Sequence, residues 1–220
     1  MWDKEMITML LEGTADTLYM TMMSTLFGYI LGLPMGICLA VTDKEGIRPN
    51  SFIYKVLDFI ANLVRSIPFL ILLILVIPVT KAIVGKSYGP SATVVPLVIA
   101  AAPFIARMVE SSLKEVDSGV IEAAVSMGAG TTQIIWKVLL AEARTSLLVG
   151  VTIAIGTILG YSAMAGVVGG GGLGDIAIRY GYYRYQTDVM VVTIIILVIL
   201  VQILQGLGMM LSKKMDKRRL

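Results

Sequence analysis

Four runs without a single charged residue dominate the sequence, at 17–42, 87–106, 145–174 and 189–212. Each reaches the roughly 20 residues that an α-helix needs to cross the hydrocarbon of a bilayer. A fifth run, 66–80, is shorter, and it spans only if Arg65 sits at the interface and the apolar 59–64 belongs to the same helix. The runs are continuously apolar, whereas barrel strands would alternate in segments of about 10 residues, so helices are favoured. Composition agrees: 57% of residues are hydrophobic, 15% are charged and the mean hydropathy is +0.86. Ordinary soluble domains are only about 45–50% apolar. The expectation is an all-α integral membrane protein, one domain over 1–220, with five transmembrane helices near 17–41, 59–84, 92–109, 146–167 and 189–211.

The first run is too long for a signal-peptide core and follows the acidic Asp3, Glu5, Glu12 and Asp16, so it is expected to stay as a permanent helix. Residues 1–16 then form an acidic lead lying at the membrane surface. With no histidine and one cysteine, the usual zinc and haem ligand sets and any intrachain disulfide are excluded. Cys38 is read as a small buried apolar residue, and the fourteen scattered methionines as packing. Gly85, Lys86 and Ser87 end like a phosphate-binding loop, but Thr80 stands where its first glycine belongs and no soluble strand precedes it. No nucleotide site is readable, so any ATP chemistry would have to come from a partner. No histidine, paired carboxylate or serine–base dyad offers catalysis, and no metal site or nucleic-acid partner is expected.

Within the helices, Gly28, Gly32 and Gly36 repeat every fourth residue. They form either a face for close helix contact or an instance of glycine being common in membrane helices. Residues 42–55 are polar, turn at Pro49 and Asn50, and read as a loop. Pro68 is expected to bend the second helix near its start, with Arg65 snorkelling or lining a polar crevice. Pro96 and Pro103 make the third helix a candidate for a bent, pathway-lining element. Loops 42–55 and 107–144 and the tail from Lys213 hold twelve lysines and arginines, against Lys4, Lys81, Lys86, Arg179 and Arg184 on the other side. That excess places the tail and residues 119–143 in the cytoplasm, with the N-terminus outside.

The segment 119–143 interrupts two apolar runs with Glu122, Lys137 and Glu142. Gly119 can serve as N-cap, with Glu122 at the third helical position near the positive end of the dipole. Val120, Ile121, Ala123, Ala124 and Met127 give this short helix an apolar side, Gly128 and Gly130 break it, and Thr131 or Thr132 can cap a second helix over 133–143. The result is an elbow along the cytoplasmic surface. A long loop between membrane helices can fold this way without docking anything.

Glu122, Ala123, Ala124 and Gly128, followed by Val138 and Leu140, resemble the EAA motif of ABC importer permeases. The resemblance implies a type I importer permease fold. Its elbow is the coupling helix that docks on a cytoplasmic ATPase through Glu122, Ala123, Ala124, Met127, Gly128 and Ala129. The motif commonly closes with proline, where this chain has Ala141. Trp136 to Leu140 with Glu142, Gly160 to Val168 and Gly171 to Gly181 resemble more narrowly the permeases of bacterial methionine ABC importers, as does Arg65, Ser66, Pro68, Phe69. That likeness implies a homodimer in the lipid of the bacterial inner membrane. It also implies two ATPase subunits binding ATP and Mg, and an extracytoplasmic methionine-binding protein. Another amino acid or a short peptide is the alternative cargo; an ion-coupled carrier is the alternative mechanism, although no helix-centre carboxylate supports it. Candidate pathway or gate residues are Pro103, Ser162, Met164, Gly169 and Gly170, the glycines reading equally as a flexible loop. Arg179, Tyr183 and Arg184 are either binding-protein contacts or part of an interfacial aromatic belt.

Overall fold

The computed structural model describes residues 4–215. Asp3 of the acidic lead and Lys217, Arg218 and Arg219 of the tail lie outside them. Among the described residues the structure is helical with no strand. In chain order come α1 (Lys4–Thr42), α2 (Ser51–Ser66), α3 (Phe69–Leu75), α4 (Ile77–Val84), α5 (Pro90–Lys114) and α6 (Ser118–Ser126). Then follow α7 (Thr131–Gln133), a π-helical turn Ile134–Leu139, α8 (Leu140–Glu142), α9 (Arg144–Ala165), α10 (Gly172–Ile176), a second π turn Ala177–Tyr182, and α11 (Thr187–Met215). Among the described residues four stretches are long and apolar enough to span a membrane: Lys4–Thr42, Pro90–Lys114, Arg144–Tyr182 and Thr187–Met215. A fifth exists if α2 and α3, bent by 103° at their junction, count as one broken span.

The centre of the molecule is the contact of α1 with α5. A Cβ on Gly32 would lie 2.7 Å from the Ala102 carbonyl oxygen, and one on Gly36 would lie 2.5 Å from that of Ala106. The glycine repeat is therefore a helix-contact face. Lipid is as apolar as leucine, so close backbone approach and dispersion must hold such helices together. Met20, Leu97, Ala101, Ile105 and Val109 continue the seam, and Ala154 and Ile158 of α9 complete it. Cys38 is exposed, contrary to the expected burial. It lies two residues, about 200° around the helix, from Gly36, so the face that meets α5 turns it outward.

The acidic lead does not form a separate surface segment. From Lys4 it is helical and continuous with α1. Leu10 is buried with Leu173, Ile176 and Val189, and Met6 and Met9 pack against them. Tertiary contact with α10 and α11 thus outweighs the pull of its acidic side chains toward water.

The second helix also differs from its reading. It starts at Ser51, where Asn50 caps it by accepting from the N–H groups of Phe52 and Ile53, each at 3.1 Å. It stops at Ser66, and Ile67 is extended as the residue before a proline must be. Apolar residues 52, 53, 56, 59, 60 and 63 face outward. Tyr54, Asp58 and Asn62 face α5 and bond to its charged groups. Tyr54 and Asn62 are about 12 Å apart along α2, yet their partners Glu110 and Arg107 are only about 4.5 Å apart along α5, so α2 crosses α5 and does not run beside it. Phe69 then stacks on Tyr161 of α9, centroids 4.6 Å apart and planes 4° from parallel, fixing where α3 begins.

Candidate functional site

The elbow begins with a cap two residues earlier than the sequence suggested. Asp117, not Gly119, caps α6, its Oδ1 accepting from the Gly119 N–H at 2.7 Å. Glycine has no acceptor to offer, and a carboxylate at this end also meets the helix dipole. Glu122 consequently stands beyond the first turn. Of α6 only Ala124 is buried, with Ile121 partly covered against the core. Glu122 and Ala123 are exposed, as is Val125, and Met127 is 81% exposed.

The turn after α6 is fixed by backbone bonds from Met127 N to Ala123 O, Gly128 N to Val125 O and Ala129 N to Ala124 O. Gly128 takes φ +82°, and a Cβ there would touch nothing within 4 Å in the protomer. Backbone geometry alone demands glycine at this position; left-handed φ costs other residues roughly 1–2 kcal/mol. Ala129 is half-buried and packs on the core. Neither threonine caps the next helix. Gly130 is the N-cap, and its N–H donates to Gln133 Oε1 at 3.1 Å. The second helix widens at once into the π turn, which Ile134 and Leu139 anchor in the core. Trp136 remains 65% exposed. Ala141, at the proline position of the motif, is exposed, so it meets no packing constraint.

Of the six docking candidates, Glu122, Ala123, Met127 and Gly128 share the outer surface of the elbow, whereas Ala124 and Ala129 face inward and hold it on the core.

A charged network at the foot of the elbow escaped the sequence reading. Arg107 bonds to Asp58, to Asn62 at 3.1 Å and to Glu110 at 2.6 Å. Lys114 reaches Glu110 at 2.8 Å and Asp43 at 2.5 Å, and the Tyr54 hydroxyl donates to Glu110 at 3.2 Å. Glu110 is buried; a carboxylate is tolerated there only with such partners. The hydrogen bond from Lys114 holds the Asp43 carboxyl below the usual carboxylate range. The i, i+3 and i+4 spacing of Arg107, Glu110 and Lys114 was the visible signal of one charged helix face. Together these bonds tie α2 and the chain after α1 to the end of α5, from which the elbow hangs.

At the other end of α5 the glycine-rich stretch is ordered by hydrogen bonds. Gly89 N–H donates to Gly169 O at 2.9 Å, Thr93 Oγ1 to Gly170 O at 3.2 Å, and Gly170 N–H to Ala165 O at 3.0 Å. Leu173 N–H donates to Thr17 Oγ1 at 2.9 Å. Gly166 and Gly174 let two backbone segments touch, since a Cβ on either would collide with main-chain atoms. Ser162 is buried and donates to Leu159 O at 2.7 Å, while Met164 is 48% exposed. Two residues apart, they lie about 200° around α9 and line different walls. Pro103 is buried within α5. The structure therefore does not bring the five pathway candidates onto one surface. Arg179, Tyr183 and Arg184 do cluster on the outside of the second π turn and the residues after it. There Arg179 pairs with Asp175 at 2.7 Å, and Arg184 lies 4.6 Å from the Tyr180 ring centroid.

Residues 32–217 match the sequence model of the family described as binding-protein-dependent transport system inner membrane component. The chain is 50% identical over 210 residues to a probable D-methionine transport system permease of Vibrio cholerae, covering 96% of this chain and 93% of that one. It is 46% identical over 206 residues to the corresponding protein of Haemophilus influenzae, covering 94% and 97%. A solved structure of the MetNI methionine ABC transporter in inward-facing conformation superposes with a TM-score of 0.96 at 46% identity, over 98% of this chain and 100% of that chain.

Proposed function

Since this chain belongs to the inner-membrane components of binding-protein-dependent transport systems, we propose that it is the permease subunit of an ATP-driven importer that carries D- or L-methionine into a bacterial cytoplasm. The observation that carries the reading is the elbow. It sets Glu122, Ala123, Met127 and Gly128 outward on a short helix and the turn after it, while Ile121, Ala124 and Ala129 pack on the hydrophobic core. The methionine cargo is supported by the D-methionine permease relatives and by the methionine transporter structure.

Two copies of the chain form the translocation unit in the inner membrane. Two cytoplasmic ATPase subunits bind ATP and Mg, and an extracytoplasmic binding protein delivers methionine to the face bearing Arg179, Tyr183 and Arg184. The basic tail and elbow lie inside and the N-terminus outside. ATP-driven closure of the ATPases moves the docked elbow. Ala124, Ile134 and Leu139 sit in the same core as Leu113, Ala154 and Ile158, so α6 cannot shift without pushing on α5 and α9. The Asp43–Lys114–Glu110–Arg107–Asp58 chain makes α2 travel with α5. The gate is assigned to the segment around Gly169 and Gly170, and Pro103, Ser162 and Met164 to elements that change neighbours as it opens.

The test is reconstitution of the permease with its ATPase and binding protein in vesicles. ATP-dependent methionine uptake is expected, and Gly128→Asp is expected to abolish it; uptake that survives this change sinks the account of the elbow. Uptake by the permease alone, driven by a sodium or proton gradient, would point to a carrier instead.

A further inference from the structure

Beside the foot of the elbow, the last turn of α5 and the first turns of α9 enclose a cavity of about 550 Å³. That is within the range of small-molecule sites, roughly 300–1,000 Å³. Its wall carries Glu115, Glu142 and Arg144 beside Val116 and Val149. At its edge the Ser146 hydroxyl donates to Ser112 Oγ at 2.9 Å, joining the two helices. Among the described residues none of the three charged side chains has a hydrogen bond or ion pair. This contrasts with the nearby Asp43, Asp58, Arg107, Glu110 and Lys114, which are all paired. Arg144 is half-buried, while Glu115 and Glu142 are exposed at the cavity's mouth; a guanidinium and two carboxylates lining one cavity, with no counter-charge among the described residues, are complementary to a ligand bearing both charges.

The geometry points to this cavity as a site where a zwitterionic amino acid with an apolar side chain rests on the elbow side of the membrane. Its carboxylate is held by Arg144, its ammonium between Glu115 and Glu142, and its side chain lies against Val116 and Val149. The inference rests on the reading of the chain as an amino-acid permease and gives that pathway an inner station, assigned to residues at the α5–α9 junction.

The test uses the complete permease–ATPase complex in detergent without nucleotide. It carries Cys38→Ala, to remove the exposed native thiol, and Val149→Cys as reporter, with Thr145→Cys on the same wall as a second reporter should the first disturb assembly. Alkylation by a small hydrophilic thiol reagent is expected to slow roughly tenfold when methionine reaches ten times its Kd, since protection scales as 1 + [L]/Kd. Neither 3-methylthiopropylamine nor 4-methylthiobutanoate, each lacking one charge, should protect at the same concentration, and Arg144→Gln should remove the protection by methionine. Alkylation indifferent to methionine overturns the site. So does a reporter that is reactive in the isolated permease but silent in the complex, because a segment of the ATPase then fills the cavity. Methionine uptake by the complex with its binding protein is measured in parallel. Uptake without protection overturns the site alone, whereas absence of uptake overturns the transport reading beneath it.

Discussion

The two glycine-rich regions at opposite ends of α5 use the same residue for opposite purposes. At the elbow, Gly128 and Gly130 have open space where a side chain would go, and Gly128 is needed only for its left-handed backbone. At the far end, Gly166 and Gly174 are needed because main chain touches main chain. One region has a fold-determined shape and an unfinished surface; the other is finished inside the protomer. A surface that is rigid yet uncovered is what a docking element requires, and a packed, hydrogen-bonded segment is what holds helices α1, α5 and α9 together at their other end.

The largest effect that tests this contrast is on transport. Gly128→Asp should leave a folded permease, with a stability loss of about 1–2 kcal/mol from the left-handed backbone, while uptake in vesicles falls to background. A comparable collapse of folding would erase the distinction between the regions. Next is Gly174→Ala, whose new Cβ meets the Ala163 backbone. Overpacking of this kind costs about 1–3 kcal/mol, read as a lowered melting temperature of the detergent-solubilised protein. If Gly174→Ala melts like the wild type, the far segment is looser than its hydrogen bonds indicate. Thr17→Val removes the acceptor of the buried Leu173 N–H. The expected loss is about 1–3 kcal/mol, because a buried amide is left without an acceptor; slower uptake without lower stability would instead assign Thr17 to the pathway.

The smallest effect concerns the network at the elbow's foot. Asp43 is held below the usual carboxylate range by the hydrogen bond from Lys114. Its contribution is therefore complete above the unfolded-state value and is lost as pH falls through the folded one. Melting temperature should drop on acidification below about pH 4, and Asp43→Asn should remove that part of the drop, worth less than about 1 kcal/mol for so accessible a pair. An acid response unchanged by the substitution would assign it to other carboxylates.

The spans of α1, α5, α9 and α11 were legible because an uncharged run of sufficient length has few alternatives to a membrane helix. The elbow was legible from the Glu122 to Leu140 pattern and the break at Gly128. Its caps were misplaced because a cap is chosen among neighbouring candidates by geometry: Asp117 lay just outside the segment considered, and Gln133 reached back where Thr131 or Thr132 was expected. The bend at Pro68 could be anticipated, but not that α2 begins at Ser51 and crosses α5. Its polar face is stabilised by Arg107 and Glu110, about fifty residues away in sequence, and no local pattern records that meeting. Similarly, no sequence pattern assigned a helix to the aromatic stretch after Asp175, yet packing on α10 and α11 makes it helical through Tyr182.

The two wide turns, Ile134–Leu139 and Ala177–Tyr182, bracket the chain from the elbow's exit to the start of α11. A π turn inserts one residue into an α-helical register, advancing every later side chain by about 100° with little added rise. The azimuth of α9 relative to the elbow is thus set by a single supernumerary residue, as a gear is timed by one tooth. Deleting any one residue of Ile134–Leu139 would leave the hydrophobicity of the span intact while turning a different stripe of α9 toward α5.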